Sequence, residues 1–291
     1  MKYFLIIFLL AVSSNYLISN NKINIYANDS LAIEEIIISN IKIKGNKKTK
    51  KEIILRELDF KVGEKISINK LKVKIYDAKE NLTNLNLFNF IEFEYKEIEN
   101  NVSIQVKLTE RWYVWPYPIF EISDRNFNVW WHDFKQSNYS DLTRINYGLF
   151  INIENFRGRN ELIILKYRRG FKEHYQLNYK VPFLKKNQNL GINTDIEFFR
   201  RKKTFYKTQG DSLLFFEDKE NFTSKDLIVH FDVIFRNNIK ILNKLKAKYF
   251  LTNINDSINI LNPNYLSNNS NKASYLRFSY NFIYENRNNK N

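Results

Sequence analysis

Few side chains able to do chemistry occur in this sequence, and they are scattered. The three histidines, His132, His174 and His230, stand far apart with no metal-ligand spacing among them. The chain has no cysteine, which excludes thiolate nucleophiles, thiolate zinc or iron sites, disulfides and lipid-modified amino-terminal cysteines. Acid–base hydrolysis needs two carboxylates that converge on one bond. Asp124 with Asp133, and Glu161 with Glu173, are the pairs available, and nothing in their spacing brings either pair together. No serine elbow, glycine-rich phosphate loop or H-E-x-x-H pattern occurs. The expectation is a protein without catalytic, metal or cofactor residues, one that binds and does not catalyse.

Charge suggests one kind of partner. Lys and Arg number 46 against 31 Asp and Glu, a formal net charge of +15. The run Arg200-Arg201-Lys202-Lys203 beside Phe198, Phe199 and Phe205 is the place to look for nucleic-acid contact. Because Ile, Asn and Lys are over-used throughout, a bias toward AT-rich codons explains the charge without nucleic acid. The basic run then reads as a charged strand end at a membrane interface, and the net charge favours anionic lipid headgroups. No nucleic-acid partner is expected.

The elements that must position a binding surface begin with a targeting segment. Residues 1–27 place Lys2 before an apolar run from Tyr3 to Val12, too short to span a bilayer, with a cleavage point after Ala27; they read as a secretory signal peptide. No later apolar run approaches the ~18 residues of a membrane helix, so a membrane location would require a β-barrel.

Residues 36–112 read as a small α+β module. A β-branched run from Ile37 to Lys44 ends at Gly45-Asn46, and Thr49 stands three residues before Glu52 as a capping box for a helix with Ile53, Ile54, Leu55 and Leu58. Gly63 breaks the chain and Ser67 is placed to cap again. Ile68, Leu71, Ile75, Ala78, Leu82 and Leu85 then recur as one stripe of a 3.6-residue period. Two strands follow, Phe88 to Lys96 and Val102 to Leu108, giving the order strand, helix, helix, strand, strand.

From residue 113 to 291 the texture changes to successive strands of about nine to eleven residues with period-two alternation, about eight or nine of them. Tyr147 to Ile153, Tyr175 to Val181, Leu227 to Phe235 and Leu276 to Tyr284 show it most cleanly; Phe120 to Trp130 is a further predicted strand, and Asn253 to Asn271 a long exposed loop. Alternation alone fits either a lipid-facing surface or a dry protein core. Ionisable residues on the polar faces, a 16% aromatic content, and Trp112, Trp115, Trp130, Trp131, Tyr167 and Tyr175 at strand ends favour an antiparallel transmembrane β-barrel with an interfacial aromatic girdle.

The module resembles a POTRA domain: Ile41-Lys42-Ile43-Lys44-Gly45-Asn46 before Thr49, Gly63 between the helices, Leu87-Phe88 opening the second strand, and Val106-Lys107-Leu108-Thr109-Glu110 closing the third. Asn155-Phe156-Arg157-Gly158-Arg159-Asn160 and Tyr179-Lys180-Val181-Pro182-Phe183 resemble the Asn-Phe-x-Gly and Tyr-x-x-Pro passages of outer-membrane assembly factors of the BamA and TamA superfamily. The likeness covers most of residues 36 to about 200. It implies a cell-outer-membrane protein with its POTRA domain in the periplasm. Implied partners are unfolded outer-membrane proteins, outer-membrane lipid and accessory assembly lipoproteins. Clients would add by strand pairing to the edge strand near Phe88, Phe90, Glu92 and Glu94, and to a barrel seam whose first strand, Trp112 to Ile122, carries Trp112 and Trp115. Glu92, Glu94, Lys96 and Glu97 also read as charges that guard an edge. A two-partner secretion pore has the same parts and is the alternative. Arg168-Arg169-Gly170-Phe171 is similar to the family's barrel-loop motif but sits too early in the chain, and an ordinary turn is expected there. The barrel looks incomplete relative to the family, so a truncated, non-functional member is a further expectation.

Overall fold

The computed structural model describes residues 35–123, 126–184, 189–236, 240–267 and 269–284. The signal-peptide assignment and Asp124 lie outside the described residues.

The first module runs β1(Glu35–Lys44), α1(Lys51–Leu55), β2(Lys65–Ser67), α2(Ile68–Thr83), β3(Phe88–Ile98) and β4(Asn101–Glu110). Its sheet has the order β2-β1-β4-β3, with β1 and β4 parallel and the other pairs antiparallel. The predicted stripe is the inner face of α2. Leu71, Ala78 and Leu82 are buried, with Ile68, Ile75 and Leu85 packed at its margin, against Ile36, Ile38, Val102, Ile104 and Val106. Each fully buried aliphatic side chain contributes ~1.5–3 kcal/mol, so the stripe and the β1–β4 pair form the core of the module.

Three local expectations are corrected. The short strand β2 is additional, formed where Glu35–Ile37 pairs with Lys65–Ser67. Ser67 does stand at the α2 N-cap, but its side chain makes no capping bond. Thr49 is no cap either: Lys50 precedes α1, and the Thr49 side chain is buried in other contacts.

The second part is an eight-stranded antiparallel sheet in the order β14-β13-β12-β9-β8-β7-β6-β5. Its strands are β5(Val114–Ile122), β6(Ile145–Phe156), β7(Glu161–Gly170), β8(Lys172–Val181), β9(Leu190–Arg201), β12(Ser224–Arg236), β13(Ile241–Ile254) and β14(Lys272–Tyr284). The hairpin β10(Lys203–Gln209)–β11(Ser212–Glu217) stands apart between β9 and β12. Where a strand from Phe120 to Trp130 was predicted, β5 ends at Ile122 and Trp130 belongs to the helix α3(Phe127–Gln136), started by the Asn126 side chain accepting from the Asn128 N–H. The predicted loop after Asn253 begins inside β13 and holds α4(Asp256–Leu261), whose Ile258 is fully buried. Gly170 closes the β7–β8 turn at φ +122°, as expected of an ordinary turn; a Cβ there would overlap the Ile145 carbonyl.

Two asymmetries organise this sheet. On the first module's side the connections are short: β6–β7, β8–β9 and β12–β13. On the opposite side are the tight β7–β8 turn and the three long connections that carry α3, the β10–β11 hairpin and α4. The other asymmetry is between faces. Leu177, Leu165 and Ile196 stand across from one another on one face and are all exposed, as are Leu245 and Tyr280, Leu276 and Tyr249. On the other face the polar His174 and Asn178 are each only 7% exposed. A water-soluble sheet buries the first kind and exposes the second; here the polarity is reversed. No helix among the described residues is long and apolar enough to cross a membrane.

Candidate functional site

The two edges expected to bind extended segments differ in how open they are. Strand β3 pairs only with β4 among the described residues, so it is an edge of its sheet. A register shift between Phe88 and Phe90 turns their side chains apart. Phe88 packs on the core and is therefore not a free contact, whereas Phe90 is 68% exposed. Glu92 is exposed beyond it. Glu94 pairs with Lys107 on β4 and accepts from Gln105 Nε2 at 3.1 Å. The bond from Lys107 holds the Glu94 carboxyl below the usual carboxylate range. Glu94 thus belongs to a cross-strand pair, while Phe90 and Glu92 are exposed on the same face of the edge strand.

Strand β5 is also an edge, pairing among the described residues with β6 alone. The Glu154 N–H donates to the Tyr113 carbonyl (2.7 Å) and the Ser123 N–H to the Arg144 carbonyl (2.8 Å), so the odd-numbered residues turn their backbone groups toward β6. The even-numbered residues Val114, Pro116, Pro118, Phe120 and Ile122 then face the open edge. Proline has no N–H, so the two prolines remove consecutive donors from that edge. The Trp112 indole N–H donates to the Val114 carbonyl, which occupies an acceptor as well. Trp112 and Trp115, predicted as contacts at a seam, have different surroundings. Trp112 is exposed and caps the start of the edge. Trp115 stands opposite Asn152 on the polar face, with the Arg111 guanidinium 6.0 Å from its ring centre, and so is no part of an outer girdle.

Between the edges lies a junction that sequence inspection did not assemble. The β6–β7 turn packs against the segment between β1 and α1: the Lys50 N–H donates to the Gly158 carbonyl at 2.8 Å, and Asn155 Nδ2 donates to Thr49 Oγ1 at 2.8 Å. Tyr113 Oη donates to the Leu87 carbonyl (2.9 Å), so the Thr49 hydroxyl is the donor in its 3.2 Å contact with Tyr113. Gly158 is at φ +71°, where a Cβ would overlap the Lys48 carbonyl, so only glycine permits this approach. Ile53, Leu87, Tyr113 and Phe183 form a small apolar core beside it.

An ion cluster completes the junction. Glu57 is 1% exposed and accepts from Arg56 Nε at 2.7 Å and from Arg236 Nη1 and Nη2 at 3.2 and 3.3 Å. The Arg56 guanidinium lies 3.3 Å from the Phe183 ring centre. Burial pushes the Arg56 pKa down to about 10, with Glu57 opposing, so it remains charged at neutral pH. The Asn-Phe-x-Gly and Tyr-x-x-Pro passages mark Asn155, Gly158 and Phe183; of their partners, Thr49 reads in the sequence as a helix cap, and Glu57 and Arg236 carry no signal.

The candidate chemical groups stay apart. Glu161 bonds Arg157 Nε (2.8 Å) at the junction end of β7, while Glu173 pairs with Arg200 and Arg169 at the opposite end of β8. His132 is on α3, His174 on β8 and His230 on β12, and no group of three metal-ligating side chains occurs among the described residues. Of the basic run, Arg201 pairs with Asp226 on β12. Arg168, of the loop-like motif, donates to Glu121 at 3.1 Å.

Residues 36–111 match the POTRA family, described as the surface antigen variable number repeat. No curated protein is significantly similar in sequence. Similar solved structures include BamA from Haemophilus ducreyi lacking POTRA domains 1–3, with 16% identity and a TM-score of 0.49 over 86% of this chain and 44% of that one. CdiB from Acinetobacter baumannii has 10% identity and a TM-score of 0.42 over 86% and 42%. CdiB from Escherichia coli has 8% identity and a TM-score of 0.41 over 84% and 38%. The chain spans less than half the length of each of these structures. The resemblance read from the sequence holds where its motifs are densest: residues 36–111 form a POTRA domain, and an antiparallel sheet follows it directly.

Proposed function

We propose that the chain works in outer-membrane protein assembly, with its large sheet in the bilayer, its POTRA domain on the periplasmic side, and β3 as the edge that receives extended segments of unfolded β-barrel clients. The observation that carries this reading is an open POTRA edge joined by a packed junction to the short-turn end of a sheet whose exposed face is apolar. Outer-membrane barrels have short periplasmic turns and longer extracellular loops, and three of the four connections distal to the POTRA domain are long, the tight β7–β8 turn being the fourth. Binding at β3 would draw on backbone donors and acceptors, with Phe90 and Glu92 flanking the added strand, and would make few demands on client sequence. The chain would therefore act by pairing, without bond chemistry. The protein-free side of β5 is a weaker template, since Trp112 and the two prolines occupy or remove its backbone groups. Lipid would cover the apolar face; accessory lipoproteins would have to be found by co-purification.

Because the sequence lacks cysteine, single-cysteine variants give clean reporters. With the full chain in lipid vesicles, a photocrosslinker on Phe90→Cys should capture an unfolded barrel-strand peptide of alternating polarity, and the same probe on Tyr76→Cys of α2 should not. Equal capture at both positions, or none at Phe90, would sink the β3 assignment.

A further inference from the structure

Helix α3 presents an aromatic stripe. Phe127, Trp130, Trp131 and Phe134 fall at the spacing of one helical face, and their rings stack in sequence: Phe127 on Trp131 at 6.1 Å, Trp130 on Phe134 at 5.0 Å. Tyr139 joins from beyond the helix, edge-on to Phe134 at 5.5 Å, and adopts a left-handed φ of +61° to do so. A bulky residue is held in that region only when its surroundings compensate, so the ring cluster contributes to ordering the end of α3. The cluster is not sealed. Trp130 is buried and Phe134 partly so, but Phe127 is 59% exposed, and Trp131 and Tyr139 are exposed beside it, while Asn128, His132 and Gln136 line the other side of the helix. Among the described residues the ring contacts of the stripe are with one another and with Tyr139.

Position indicates what covers it. α3 lies in the β5–β6 connection, at the end of the sheet away from the POTRA domain. At that same end the apolar face carries an aromatic row: Phe120 opposite Tyr147, then Tyr167 opposite Tyr175, then Tyr175 opposite Phe198, with ring distances of 5.4 and 6.3 Å in the last two pairs. Aromatic rows of this kind mark the height of the headgroup boundary on a membrane sheet. α3 follows Phe120 by a few residues of chain, just past the end of the edge strand. Its Lys135 ammonium lies 5.9 Å from the Trp131 ring centre, in the arrangement by which a lysine reaches the headgroups while the ring sits below them.

We infer that α3 is an interfacial anchor: its Phe127–Trp131 side lies in the headgroup–acyl boundary of the leaflet distal to the POTRA domain, beside the open edge of β5. This rests on the membrane placement of the sheet proposed above, and the test separates the two. The full chain is reconstituted in phosphatidylcholine–phosphatidylglycerol vesicles as three single-cysteine variants carrying an environment-sensitive fluorophore: Phe127→Cys on the stripe, Asn128→Cys on the polar side, and Leu177→Cys in the middle of the apolar sheet face. Trp131→Cys replaces Phe127→Cys if that variant does not fold. The expected result is blue-shifted emission at position 127, quenched by lipid brominated near the headgroup and protected from aqueous iodide, with position 128 open to iodide and position 177 quenched by deeper bromines. A lipid-shielded 177 with 127 as open to iodide as 128 overturns the anchor and leaves the membrane reading standing. An aqueous 177 in the folded, reconstituted protein overturns both. Shielding at 127 that appears only when an unfolded barrel peptide is added assigns the stripe to a protein partner and likewise overturns the anchor.

Discussion

Glu57 shows how much a single residue can hold in this molecule. Its buried carboxylate accepts from two guanidiniums, one from its own module and one from the end of β12. A buried ion pair adds little net stability when whole, but removing one partner leaves an uncompensated charge and costs about 3–5 kcal/mol. Glu57→Gln should therefore lower the stability of the full chain by several kcal/mol. Arg236→Met added to it should recover part of the loss, because one of the stranded charges is gone. Denaturant unfolding of the single and double variants measures this, and equal, additive losses would mean that the two residues are not coupled. None of this was legible in the sequence: a carboxylate 179 residues from its arginine leaves no local pattern. Thr49 illustrates the opposite failure. Its spacing from Glu52 satisfies a capping box, but bonds to Tyr113 and Asn155 hold its hydroxyl in the junction, and tertiary contact overrides the local signature.

At the scale of elements, the α2 stripe was fully legible, since a 3.6-residue apolar period needs only a sheet to pack on. The structure grades its positions. Leu82 is fully buried and Ile75 only partly, so Leu82→Asp should unfold the POTRA domain, while Ile75→Asp should cost less. Thermal melts of the two variants check the order, and equal losses would contradict the burial. α3 was misread as the end of a strand because its Phe and Trp residues favour strands by propensity; the spacing of residues 127, 130, 131 and 134, which identifies a helix, was present but short. The edge strand β5 was legible as an edge, but not its protection, which depends on which way each N–H points. Pro116→Ala with Pro118→Ala should restore both outward donors, and the variant should associate through this edge more readily than the parent. Cross-linking of the reconstituted protein through Val114→Cys reports it; unchanged association would show that the prolines do not limit the edge.

For the whole molecule the decisive property is the reversed polarity of the large sheet. Period-two alternation predicted its strands but left open which face meets what; burial makes the faces unequal in the sense opposite to that of a soluble sheet. Leu177 and Gln176 are neighbours on β8 and point to opposite faces. Leu177 stands between Leu165 and Ile196, and Gln176 donates to Asp195 at 3.0 Å. If the apolar face meets lipid, Leu177→Lys places an ammonium near mid-bilayer and costs about 2–4 kcal/mol. Gln176→Lys instead sets an ammonium beside the Asp195 carboxylate on the polar face and should change stability little. In a sheet that stays in water the difference between the two variants disappears, because Leu177 is already exposed and a lysine there meets solvent. Reversible unfolding of the two variants by denaturant, once from lipid vesicles and once from the aqueous state, decides between these outcomes. A Leu177→Lys variant as stable in vesicles as its parent would remove the sheet from the membrane, and the assembly reading would fall with it.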